Sequence, residues 1–139
     1  MMVERVGFAR GPCMDEFYLP EEMIEWLGYK KSALLSELIS HAEGDDFSFE
    51  QYQSFERFIP ETLSAPELIF DSEEDKINLK TFVKTYSDPE IFQQIVIGAM
   101  IPDQNKDLIF IPILSFVTRK QNLIKIFCHG RPTLRPVFN

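Results

Sequence analysis

"KINLKTFVKTY", residues 76–86, decides how the second half of this chain is read. Ile77, Leu79, Thr81 and Val83 fall on one side of an alternating pattern, and Asn78, Lys80, Phe82, Lys84 and Tyr86 fall on the other. Successive side chains of a strand point to opposite faces, so this period of two predicts a β-strand with one face against a core. Just before it, "PELIF" at 66–70 reads as a short strand closed by the acidic turn "DSEED". After it, "IFQQIVIGAMI" at 91–101 is the next strand and "PDQNKD" is a turn. "LIFIPILSFV" at 108–117 then returns antiparallel. Its near-continuous apolar character predicts a central strand, and Pro112, which has no N–H for the ladder, predicts a bulge or a missing bond there. "RKQN" reads as a turn into "LIKIFC", with Cys128 and His129 adjacent on a strand, and "HGRPTLRPVFN" as an extended end.

Toward the N-terminus the period changes to that of a helix. Pro20 suits a first helical position, Glu21 and Glu22 suit the positive end of the helix dipole, and Gly28 is the expected stop. Ser32 can cap a second helix carrying Leu34, Leu35, Leu38 and Ile39, with His41 in its last turn and Gly44 beyond. Ser48 with Gln51 three residues later has the capping-box pattern, and Phe49, Tyr52, Phe55 and Phe58 or Ile59 form the apolar stripe that follows. Helices first and strands afterwards is the α+β signature. The expected fold is therefore a single domain over 1–139, with N-terminal helices packed on one face of a mainly antiparallel four- to five-stranded sheet. Residues 1–64 are expected to be mainly helical and acidic, and 65–139 mainly strands, holding 9 of the 14 basic side chains.

Length and composition agree with one domain: 139 residues, 45% hydrophobic, are enough to bury a core. No apolar run has membrane length, and the N-terminal stretch "MMVERVGFARGPCMDEF" lacks the uninterrupted apolar segment of a signal peptide. The expectation is a cytoplasmic protein, or one exported by a dedicated secretion system, with no membrane partner. Cys13 and Cys128 have no C-x-x-C spacing, and neither His41 nor His129 has a second ligand at helical spacing, so no metal and no cofactor are expected. A single bridge between the two cysteines and two idle thiols both remain open.

The net charge of −8 argues against a protein that coats nucleic acid without regard to sequence. Its distribution says more. Residues 1–75 hold 18 of the 22 acidic and 5 of the 14 basic side chains, a net of −13, and the remainder nets +5. Two readings follow: a basic face that could meet phosphate, or two halves that complement each other when folded.

Chemistry has one candidate location. Ser115, Thr118, Arg119 and Lys120 gather at the end of the greasiest strand, and Lys80, Phe82, Lys84 and Tyr86 alternate on a strand expected beside it. Cations interleaved with aromatic rings could hold phosphate and stack a base, although an ordinary solvated sheet face shows the same pattern. Cleaving RNA without a metal requires a base, an acid and groups that stabilise the charged phosphorane. His41 could be the base, Lys84 and Arg119 the phosphate clamp, and Ser115 and Thr118 hydrogen-bond donors to the non-bridging oxygens. Equally, His41 could simply favour the negative end of its helix, and Thr118 to Lys120 could be a plain strand end. The chain has no P-loop, no G-x-G-x-x-G and no G-x-S-x-G elbow; the carboxylates of "EGDD" at 43–46 and "DSEED" at 71–75 could bind a divalent ion, but acidic loops of this kind are usually just solvated.

The order of these segments resembles the phage members of the barnase, EndoU, colicin and RelE-like (BECR-fold) nuclease group. The resemblance covers roughly residues 32–128 and rests on His41 near a helix end, Pro66 with Ile69, Lys84, and the "FVTR" of 116–119. It implies a metal-independent, toxin-like endoribonuclease of prophage type, with RNA as partner and the matching residues as its active set. The alternative is a non-catalytic interaction or effector domain of the same fold, whose acidic N-terminal half meets a basic protein partner or inhibitor.

Overall fold

In the computed structural model, residues 4–6, 20–87, 90–102, 105–128 and 131–132 are described. The elements run β1 (Glu4–Val6), α1 (Glu21–His41), α2 (Phe49–Tyr52), a 3-10 turn (Gln53–Phe58), α3 (Ile59–Ser64), β2 (Leu68–Glu74), β3 (Ile77–Tyr86), β4 (Phe92–Pro102), β5 (Leu108–Thr118), α4 (Gln121–Phe127) and β6 (Arg131–Pro132). The class is α+β, as the change of period implies. Among the described residues the sheet has six strands in the order β1-β5-β4-β3-β2-β6. Strands β2 to β5 form its antiparallel centre, β1 adds a short parallel edge to β5, and two-residue β6 adds to β2.

The alternation read in 76–86 holds residue by residue. Leu79 and Val83 join Ile95, Ile97 and Ala99 of β4 and Phe116 of β5 in a core roofed by Leu34 and Leu38 of α1. Phe82 lies on the opposite face with Val96, Met100 and Phe110, where Leu63 of α3 covers it. Helices therefore cover both faces: α1 and α4 one, α3 the other.

Gly28 does not stop α1, which is one helix of 21 residues. A glycine inside a helix costs only about 1 kcal/mol, whereas Leu34 and Leu38 contribute about 1.5–3 kcal/mol each when buried. Met23, Trp26 and Leu27, packed on the same core on the N-terminal side of Gly28, continue the stripe across it. Two polar contacts tie this helix to the β2–β3 hairpin: Trp26 Nε1 donates to Asp75 Oδ2 at 2.9 Å, and Lys30 Nζ donates to Glu74.

The "DSEED" segment is mostly strand rather than turn, because Asp71 to Glu74 pair with Lys80 to Ile77. The reversal is made by Asp75 and Lys76 alone, at φ 55° and 66°, the left-handed pair whose twist matches the strands it joins. Pro112 does sit at an irregularity: Ile97 pairs with Leu114 and Gly98 with Pro112, so Ile113 is the extra residue of a bulge. Gly98 is required there, since a Cβ would lie 2.4 Å from the Phe110 ring and 2.5 Å from the Ile111 carbonyl oxygen. "LIKIFC" is helical, not extended. Leu123 and Phe127, four apart, are buried on one side of α4, and Phe127 meets Phe116 edge-on at 5.1 Å.

Candidate functional site

The segment after α1 and the end of β5 meet at one end of the sheet. Ser48 opens α2, and its N–H donates to Gln51 Oε1 at 2.7 Å, the backward half of the capping box. Just before it, Phe47 is buried at the centre of an aromatic cluster, 4.9 Å from Phe55 and 6.0 Å from Phe92. Burying Phe47 brings Asp46 against the β5 terminus. The Asp46 carboxylate accepts from its neighbour's amide (Phe47 N, 2.8 Å), from Arg119 N at 2.9 Å and from the fully buried Thr118 hydroxyl. Thr118 Oγ1 in turn accepts from Lys120 N at 3.0 Å.

Arg119 closes the arrangement. Its guanidinium donates to both oxygens of Glu90 (2.8 and 3.2 Å) and to the Asp45 carbonyl (3.0 Å), and lies 3.9 Å from the centroid of the Phe47 ring. Lys120 reaches Asp45 at 2.7 Å and Glu43 at 3.5 Å. The protonation states follow from these contacts. The Lys120 hydrogen bond holds the Asp45 carboxyl below its ordinary value, and the Arg119 hydrogen bonds do the same for Glu90. Arg119 and Lys120 are raised in return by Glu90 and by Asp45. All four groups stay charged through the neutral range.

The other sequence-selected residues lie elsewhere on the sheet. Phe82 is buried edge-on against Phe110 at 5.0 Å, and Tyr86 stacks on Phe92 at 5.4 Å while donating to the Phe58 carbonyl at 3.2 Å. Both rings are interior packing rather than an exposed stacking platform, because α3 and the 3-10 turn cover that face. Burial also raises the Tyr86 phenol above its ordinary value. Lys80 pairs with Asp71 at 2.8 Å, and Lys84 stands 4.0 Å from Glu61 and 5.9 Å from the Tyr86 ring. Ser115 is half-buried on β5 opposite Val96. His41 ends α1 exposed, and its side chain makes no hydrogen bond or ion pair to another described residue.

Thr118, Arg119 and Lys120 are thus brought together with the chain that follows His41, while Lys80, Lys84, Phe82 and Tyr86 stand on β3, which β4 separates from β5, and have other partners, although Tyr86 packs on the same aromatic cluster as Phe47. Sequence reasoning missed Asp45, Asp46, Phe47 and Glu90. The signal available was charge: an acidic "EGDD" and a basic "TRK" in a chain with opposite-signed halves.

Beside this junction lies a cavity of about 440 Å³ between the end of α1 and the start of α2, lined by Leu38, Ile39, Glu43, Phe47, Phe49 and Tyr52. Burial pushes the Tyr52 phenol up to about 12, with the Asp46 charge adding to the shift. Among the described residues no group of three His, Cys, Asp or Glu side chains could hold a metal ion, and no helix is long and apolar enough to cross a membrane. Cys128 is a half-buried free thiol, and Cys13 and His129 lie outside the described residues. No family model, curated protein or solved structure matches this chain.

Proposed function

We propose that this chain is a non-catalytic protein-interaction domain, and that the Ser115–Lys120 segment serves its architecture rather than cleavage of RNA. One observation carries the reading. Arg119, the natural fork for a phosphate, already commits three of its five N–H donors to Glu90 and the Asp45 carbonyl while its flat face covers Phe47. A phosphate there would compete with these charge-assisted bonds and sit beside the carboxylates of Asp45, Asp46 and Glu90. The remaining candidate cations, Lys80, Lys84 and Lys120, likewise face carboxylates. A surface made of net acidic helices fits a protein partner better than it fits RNA: residues 20–67 carry 11 acidic and 3 basic side chains.

The test is incubation of purified protein with total RNA in the absence of magnesium, alongside His41→Ala and Arg119→Ala variants. All three should leave the RNA at the background of buffer alone. Cleavage by the wild type, with 2′,3′-cyclic ends and loss of activity in both variants, would establish the ribonuclease instead.

A further inference from the structure

The cavity beside α2 has lips that protrude from the surface. Ile39 is 63% exposed and Phe49 51%, although both are large apolar side chains, and they flank a floor made of Leu38 and Phe47, which are 1% and 5% exposed. A deep apolar floor with raised apolar lips suits an anchor side chain whose own backbone continues across the surface. This is the geometry by which a groove receives an amphipathic segment. Its volume is in the range of about 300–1,000 Å³ typical of ligand-holding pockets, large enough for an anchor of leucine or phenylalanine size.

The charge around it selects the occupant. Glu43 lines the cavity, Asp45 is in the loop beside it, and Glu50 follows Phe49 in the first turn of α2. Lys120 is shared between Glu43 and Asp45, and Glu50 has no ion-pair partner among the described residues, so this rim keeps an excess of negative charge. An acidic partner would be repelled, and a neutral one would leave Glu50 without a counter-ion. A segment with lysine or arginine flanking its apolar anchor gains from both features.

We propose that the groove formed by Ile39, Phe49, Leu38 and Phe47 docks a basic amphipathic segment of a partner protein, with an apolar anchor in the cavity and cations on Glu43 and Glu50. This rests on reading the chain as an interaction domain, and it names the site and the chemistry of the partner.

The probe is a synthetic helical peptide of about twelve residues with leucine and phenylalanine one turn apart and lysine or arginine elsewhere, compared with a matched peptide in which glutamate replaces the cations. Binding is read by fluorescence anisotropy and mapped by amide chemical shifts. The basic peptide should shift amides within 38–52, and raising salt from about 50 to 500 mM should weaken it. Ile39→Lys and Phe49→Ala should each weaken it at least about tenfold, and Glu43→Lys with Glu50→Lys should narrow its advantage over the acidic peptide. Unfolding curves of each variant, compared with wild type, separate lost docking from lost folding.

Equal binding of the two peptides, shifts confined to another face, or affinity unchanged by Ile39→Lys would overturn the site. So would self-association of the protein that Ile39→Lys abolishes, since the groove would then hold a second copy. These results leave the interaction reading standing, whereas RNA cleavage by wild type removes that reading without touching peptide binding.

Discussion

Replacing Asp46 by alanine removes the acceptor for three hydrogen bonds at once, from Phe47 N, Arg119 N and the Thr118 hydroxyl. Hydrogen bonds to a charged group contribute about 1.5–3 kcal/mol each, but their loss is felt unequally here. Arg119 is exposed, so water can serve its amide. Thr118 is 0% exposed and its hydroxyl would be left buried without an acceptor. Summing one such buried loss with a partial loss at the two amides gives about 3–5 kcal/mol for Asp46→Ala. For a domain of this size that is a fall in Tm of roughly 10–20 °C. Thr118→Val alone should cost about 1–2 kcal/mol, and Asp46→Asn should fall between it and the alanine variant.

The measurement is a urea-unfolding double-mutant cycle. Because the two side chains share one bond, Asp46→Ala with Thr118→Val should cost less than the sum of the single changes by about 1 kcal/mol or more. Full additivity, or a loss below about 1 kcal/mol for Asp46→Ala, would refute the claim that this contact fastens the 42–48 segment to the sheet.

Other features give further expectations. Gly98→Ala must displace the Phe110 ring and meets the Ile111 carbonyl as well, so it should destabilise by about 3 kcal/mol, near the upper end for overpacking, as read from the shift in urea midpoint. Lys76→Gly relieves a left-handed residue in the β2–β3 turn and should stabilise by about 0.5–1 kcal/mol, which thermal unfolding would register as a higher Tm. Burial pushes the Cys128 thiol from 9.0 up to about 12, so the unfolded chain loses that proton first. Above the unfolded thiol value the native state binds more protons than the unfolded one. Stability should therefore fall as pH rises from about 9 toward 12, and the raised Tyr52 phenol steepens the fall above about 10. Alkaline unfolding curves for Cys128→Ala and Tyr52→Phe, compared with wild type, test this; curves that keep the full alkaline loss would contradict it.

The strands were legible because their side chains alternate along the chain itself. Residues 77–86 sort onto two faces by sequence position alone, and the structure places Leu79 and Val83 on one and Phe82 on the other. The Ser48–Gln51 cap and the irregularity at Pro112 are equally local, each set by chemistry within a few residues. Gly28 and "LIKIFC" misled for a shared reason. A local stop or strand preference of about 1 kcal/mol yields to a buried stripe, and which residues are buried depends on what the rest of the chain brings to them.

The site lay furthest from sequence reasoning. Counting charges showed that acids and bases were segregated along the chain, and composition left open whether the bases face a ligand or the acids. Tertiary structure decided that for Arg119 and Lys120. Asp46 and Thr118 are 72 positions apart, and only the burial of Phe47 brings the "EGDD" segment onto the end of β5. The sequence by itself determined the α+β class, the two-faced strands and the supply of charge. Which charges meet was decided by the fold, because ion pairing depends on distance in space, and a one-dimensional pattern does not contain that distance.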